Sequence, residues 1–301
     1  IVQNLEEKAY LKTGRTGGLP YIGIGWYRTS FSVPKGKKAT LLFDGAMSEP
    51  SVYVNGNQVC FWPYGYNSFF CDVTEFLHAD GKNNTLAVRL ENKPQSSRWY
   101  PGAGLYRNVH LLVTEEIHVP VWGTQITTPY VSDDFASVCL RTKVEGAELK
   151  ELTIVTDIIS PDSVVVASKT TKGKLDKEQS FVQNFIVKNP SLWSPESPEQ
   201  YVAISKIYCE GKHLDTYCTR FGIRSIEYIA EKGFYLNGKH RKFQGVCNHH
   251  DLGPLGAAIN KSALRYQLSL LKDMGCDAIR TSHNMPAPEL VELCDEMGFM
   301  M

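Results

Sequence analysis

The sequence has no apolar run approaching the ~20 residues that a membrane-crossing helix needs, which excludes a helical bilayer-spanning protein. It has no excess of charge either: 32 Lys and Arg stand against 32 Asp and Glu. The phosphate neutralisation that dominates nucleic-acid binding therefore has no footprint. Neither nucleic acid nor a membrane is expected as a partner, and a neutral partner such as a sugar fits at least as well. The eight cysteines include no C-x-x-C pair, the commonest signature of zinc and dithiol sites. Most lie in apolar runs, where free cysteine behaves as a small hydrophobe, so thiols are expected. No basic stretch followed by an apolar one opens the chain, so no signal peptide is visible. The compartment stays undetermined, and export by a segment outside this sequence is compatible with it.

What is present has the balance of a globular protein, with 43% hydrophobic and 21% charged residues. A chain of 301 residues is long enough for two or three cores. From Trp26 to about Val113 short β-prone runs alternate with turns: residues 39–43 before Asp44-Gly45, 51–54 before Asn55-Gly56, and 86–90 after Gly81-Lys-Asn-Asn. Asn-Gly between such runs predicts a type I′ hairpin, because both central residues need positive φ. A second β region, from His118 to Arg224, has alternating segments at 138–144, 152–159, 164–167, 181–187 and 201–208. That spacing reads as an immunoglobulin-like sandwich.

After Tyr235-Leu-Asn-Gly-Lys, one more hairpin, the period lengthens. Asn260 can cap a helix carrying Leu264, Leu268 and Leu271 on one face and closed by Gly275. Pro286 and Pro288 open a second, with Leu290, Leu293, Cys294 and Met297 in helical register and Gly298 at its end. Strands are expected at 242–247 and 277–281. Strand, helix, strand, helix is a βαβ unit with a parallel pair, and Gly298-Phe-Met-Met301 looks like the entry to a third strand.

Three groups of motifs carry a family resemblance. The first is Gly25-Trp-Tyr-Arg28, Leu42-Phe-Asp-Gly45, Val52-Tyr-Val-Asn-Gly56 and Arg98-Trp-Tyr-Pro-Gly-Ala-Gly-Leu-Tyr-Arg107. The second is Arg220-Phe-Gly-Ile-Arg224 with Phe234-Tyr-Leu-Asn-Gly-Lys239. The third, and the most specific, is Gly245-Val-Cys-Asn-His-His-Asp-Leu-Gly253, Ala278-Ile-Arg-Thr-Ser-His-Asn284 and Leu293-Cys-Asp-Glu-Met-Gly-Phe299. In this order they resemble the family 2 glycoside hydrolases over almost the whole chain, and the His-His-Asp loop favours the β-galactosidase branch. The resemblance implies a mainly β chain with a C-terminal α/β segment. A galactose-binding-like jelly roll would span 1–115, an immunoglobulin-like sandwich 116–225, and the first βα units of an incomplete (β/α)8 barrel 226–301.

Active sites of such barrels lie at the carboxyl ends of the strands, so His249, His250, Asp251, Arg280 and His283 should meet at one mouth, with Asp277 at the far end. A retaining glycosidase needs two carboxyl groups about 5 to 5.5 Å apart. In the family both are glutamates on later barrel strands, the first preceded by Asn, and no Asn-Glu follows position 240. The catalytic pair is therefore expected outside this sequence, and the chain alone is expected to be inactive. The resemblance makes His249 and His283 donors to sugar hydroxyls and Arg280 the cation that positions the nucleophile. His250 and Asp251 join the substrate-binding set, Asp251 either orienting a histidine or accepting from a sugar hydroxyl. Arg98 and Trp99 offer donors and a flat apolar face.

Plainer readings stand beside these. His249, His250 and Asp251 lack a spaced third ligand of the zinc pattern, so no metal is expected. Arg280 has Asp295 or Glu296 as an ordinary salt-bridge alternative, and Trp62, Trp99 and Trp193 read as sandwich core. Gly102-Ala-Gly104 imitates a dinucleotide fingerprint but opens no helix, so no cofactor is expected. The rival to an exo-acting enzyme is a stand-alone carbohydrate-binding module, since a jelly roll binds sugar without catalysis. Many family relatives assemble as dimers or tetramers, which leaves a homo-oligomer open.

Overall fold

The computed structural model describes residues 23–78, 81–93 and 104–301. The first unit is a sandwich of two antiparallel sheets. Strands β1 (Gly23–Phe31), β6 (Asn84–Asn92), β3 (Ser51–Val54) and β4 (Asn57–Phe61) pair in that order, and β5 (Phe69–Asp72), β2 (Lys38–Phe43) and β7 (Val109–Thr114) form the facing sheet. Alternation explains both: in β6 the residues Leu86, Val88 and Leu90 point inward, and in β2 Ala39, Leu41 and Phe43 do so, making one core. Asn55 and Gly56 adopt positive φ, 51° and 85°, and turn β3 into β4 as the Asn-Gly pair predicts.

The second sandwich packs β12 (Glu178–Lys188), β9 (Phe135–Glu145) and β8 (Thr124–Val131) against β11 (Val165–Leu175), β10 (Lys150–Ile159), β13 (Tyr201–Cys209) and β14 (Lys212–Phe221). Strand β11 runs well past the expected 164–167. Its continuation, rich in Lys and Thr and largely exposed, pairs with β10 through backbone hydrogen bonds that leave no apolar alternation to read.

A three-stranded sheet, β15 (Ile226–Ile229), β16 (Gly233–Leu236) and β17 (Lys239–His240), leads into β18 (Gly245–Asn248), α1 (Lys261–Asp273), β19 (Ala278–Thr281) and α2 (Pro288–Met297). Strands β18 and β19 are parallel, and Met300 bridges Ala278 in the same sense, so a third strand position is begun. Leu264, Leu268, Ile279, Leu290, Leu293 and Phe299 bury the helices against this pair. Asn260 Oδ1 accepts from Ala263 N at 2.9 Å and caps α1; Gly298, at φ 72°, ends α2. Strand β18 starts three residues later than the expected 242. The reason is local: Gln244 N donates to Asp277 Oδ1 at 2.8 Å, and Gln244 O accepts from Asp277 N.

The fold class is as expected: jelly roll, immunoglobulin-like sandwich and the opening βα units of a barrel. Among the described residues no helix is long and apolar enough to cross a membrane. Trp193 corrects its reading as sandwich core. It is buried with Phe234 and Leu236 and donates through Nε1 to Asp295 O at 2.9 Å, so it joins the second sandwich to the barrel segment. Trp62 is half-buried against the first core, stacked on Phe69 and donating to Asn67 Oδ1. Trp99 lies outside the described residues.

Candidate active site

Parallel register decides what meets at the mouth. Asn248 on β18 faces Thr281 on β19, so the next residues of both strands leave the same carboxyl edge, and Ser282 N donates to Asn248 O at 2.8 Å. The rings of His249 and His283 consequently stand 6.0 Å apart, nearly perpendicular at 80°. Val246 and Ile279 face the helices. Cys247 and Arg280, which pair across the two strands, are exposed on the open side along a cleft of about 530 Å³ that Phe243 and Met300 also line. Arg280 Nη1 donates to Ser282 Oγ at 3.3 Å and lies 3.7 Å from Cys247 Sγ, whose thiol the guanidinium draws below its ordinary range.

Asp295 and Glu296 lie on α2, behind the sheet, and Glu296 is held by Arg220 and Arg265. Arg280 pairs with neither, so its charge stays on the open side. Asp277 sits at the opposite strand end, as the topology requires, in an ion pair with Arg241 at 2.8 Å.

The other two loop residues are placed differently. Asp251 Oδ1 accepts from Gly253 N at 2.8 Å and shapes its own turn. His250 packs on Tyr66 of the jelly roll, with ring centroids 5.4 Å apart. Burial, and then the nearby charges of Arg107 and His249, pull its imidazole down to about 4, so it is neutral near pH 7. Arg98 and Trp99 lie outside the described residues.

The jelly roll thus supplies one wall of the mouth, which reading the sequence element by element missed. Tyr64 donates its hydroxyl to Asn284 Oδ1 at 2.7 Å. Arg107, only 4% exposed, donates to Asp44 O and Tyr66 O within its own sandwich. The same guanidinium reaches Met285 O at 2.8 Å and Pro286 O at 3.3 Å in the loop just after His283. Ile259 N, before α1, donates to Tyr106 O. A signal was available: Gly45 lies where a Cβ would come within 2.8 Å of Arg107 Cδ, so the glycine of Leu42-Phe-Asp-Gly45 and the arginine ending the 98–107 motif belong to one device.

Two profiles of the glycosyl hydrolases family 2 match, one over residues 118–224 and the TIM barrel domain profile over 228–301. The chain belongs to this family. Among family 2 relatives, the β-galactosidase BoGH2A of Bacteroides ovatus is 43% identical over 297 residues, covering 96% of this chain and 35% of its own length. A putative β-glucuronidase of Formosa agariphila is 39% identical, over 96% of this chain and 28% of its length. A crystal structure of a family 2 member from Bacteroides cellulosilyticus superposes with a TM-score of 0.90 at 35% identity, over 93% of this chain and 39% of that one. The chain thus spans about a third of the length of the family 2 proteins it matches.

Proposed function

We propose that this chain is the sugar-contacting front of a retaining exo-β-galactosidase, whose nucleophile and acid/base glutamates lie outside these 301 residues. The observation that carries the reading is the emergence of His249, Arg280 and His283 at one carboxyl edge of a parallel pair, with the arginine free of any carboxylate among the described residues. In this reading His249 and His283 hydrogen-bond sugar hydroxyls, contacts that strengthen as the ring flattens toward an oxocarbenium ion. Arg280 holds the incoming nucleophilic glutamate and favours its ionised form. Asp251 fixes the loop that carries the histidines and offers its second oxygen to a hydroxyl, and His250 seats that loop on the jelly roll. Arg98 and Trp99 complete the sugar contacts. A terminal β-galactoside is preferred because of the His-His-Asp loop, and the 43% identical relative named β-galactosidase supports it.

The test is a panel of aryl β-galactoside, β-glucuronide and β-mannoside substrates, offered both to the 301-residue chain and to the protein extended through a full barrel. The chain alone should release no aglycone, and the extended protein should favour the galactoside. Turnover by the chain alone, abolished by mutating one of its own acidic residues, overturns the missing-glutamate account. Preference for the glucuronide would transfer the specificity to the activity named for the 39% identical relative.

A further inference from the structure

Cys60 on β4 and Cys71 on β5 belong to the edge strands of opposite sheets of the jelly roll. Within the sheets Cys60 opposes Val52 and Cys71 opposes Leu41, so each is fixed by a central strand. Both side chains nonetheless reach the same core: Cys71 is 5% exposed, and Cys60 is half-buried against the cluster that contains it. Strands β4 and β5 follow one another along this closing edge of the sandwich, and each thiol lies near enough to the other to shift its titration.

We propose that Cys60 and Cys71 are a modification site, an oxidisable pair that closes a disulfide between the two sheets of the jelly roll. The oxidant is a low-molecular-weight or protein disulfide. The Cys60 thiolate attacks one of its sulfurs; the external S–S bond breaks, the leaving thiolate takes up a proton, and a mixed disulfide on Cys60 results. Cys71 then loses its proton and attacks the Cys60 sulfur, expelling the second external thiol. Two protein thiols are oxidised to one disulfide, and one external disulfide is reduced to two thiols. The order follows from the surroundings. Cys60 is the more accessible of the two and meets the oxidant first, while the neighbouring Cys60 and burial hold Cys71 protonated until it resolves.

The linkage has a site to act on. Residues 62–68 join β4 to β5 and carry Tyr64, which donates to Asn284, and Tyr66, which packs on His250. A bond between Cys60 and Cys71 ties the base of this loop and holds the wall it gives to the barrel mouth.

The experiment uses the folded 301-residue chain treated with oxidised glutathione, then alkylated and mapped without reduction. Expected are a Cys60–Cys71 cross-linked peptide, the loss of these two from the alkylatable thiols, whatever glutathione adducts form on the exposed Cys218 and Cys247, and a melting midpoint raised by roughly 3–10 °C. The Cys71→Ser chain should stop at a glutathione adduct on Cys60, whereas Cys60→Ser should take up none at Cys71. Recovery of both cysteines as thiols from a sample whose near-ultraviolet dichroism is native, or their pairing with other cysteines, overturns the proposal. The outcome does not depend on what the protein hydrolyses.

Discussion

Replacing Arg107 by methionine keeps the length of the side chain and removes its fork of donors. Four backbone carbonyls lose the guanidinium at once, Asp44 O and Tyr66 O in the jelly roll and Met285 O and Pro286 O after His283, and of these Asp44 O keeps the Ser68 hydroxyl. Each charge-assisted bond is worth about 1.5–3 kcal/mol, and a buried carbonyl left unpaired costs about 1–3 kcal/mol. Sparing the guanidinium its desolvation, the dominant influence on this group, offsets part of the loss. We expect R107M to destabilise the chain by about 3–5 kcal/mol in urea unfolding, the range for breaking a buried charged network. R107K should fall between, because one ammonium cannot reach four carbonyls on two domains. Hydrogen exchange separates this clamp from a diffuse effect: amides around residues 283–287 should lose protection before those of β2 and β6. Unfolding within about 0.5 kcal/mol of wild type, with exchange in that loop unchanged, would refute the assignment.

The remaining expectations concern single residues. His250 is held neutral, its ordinary pKa of 6.5 pulled down to about 4. The unfolded chain therefore binds a proton more readily, and stability complete above pH 6.5 declines as pH falls through about 4, by about 1–2 kcal/mol after allowance for partial exposure. His250→Asn should remove that slope, and an unchanged pH profile would show the ring titrating freely. Gly298→Ala combines φ 72° with a Cβ that collides with the backbone oxygen of Pro195; a loss of about 2–4 kcal/mol should appear in calorimetry. Asn260→Ala removes the cap on α1 and should cost about 1 kcal/mol in urea unfolding, with Asn260→Gly costing only a few tenths.

Periodicity and turn chemistry made most elements legible. Asn55-Gly56, Asn260 and Gly298 are local devices whose geometry follows from the residue alone, and β9, β10, β12 and β13 alternate cleanly because one face of each is core. β11 was underestimated because a strand largely exposed to water carries no apolar rhythm. Parallel register accounts for His249 and His283 standing together beyond the ends of β18 and β19. Tyr64, Tyr66 and the reach of Arg107 were not legible. Their partners lie about 180 to 220 residues away, and those of Arg107 in the loop after His283 are backbone carbonyls, which leave no mark in side-chain pattern.

The grip of Arg107 also bears on the order in which the molecule is made. The ribosome releases the N-terminal sandwich first, and domains generally fold as units in that order. When β18, α1 and β19 emerge, the carbonyls of Met285 and Pro286 meet a guanidinium already set in a finished core, and Ile259 meets the waiting carbonyl of Tyr106. The rim that carries His249 and His283 is thereby moulded on an existing surface, so the jelly roll acts on the barrel segment as an intramolecular template.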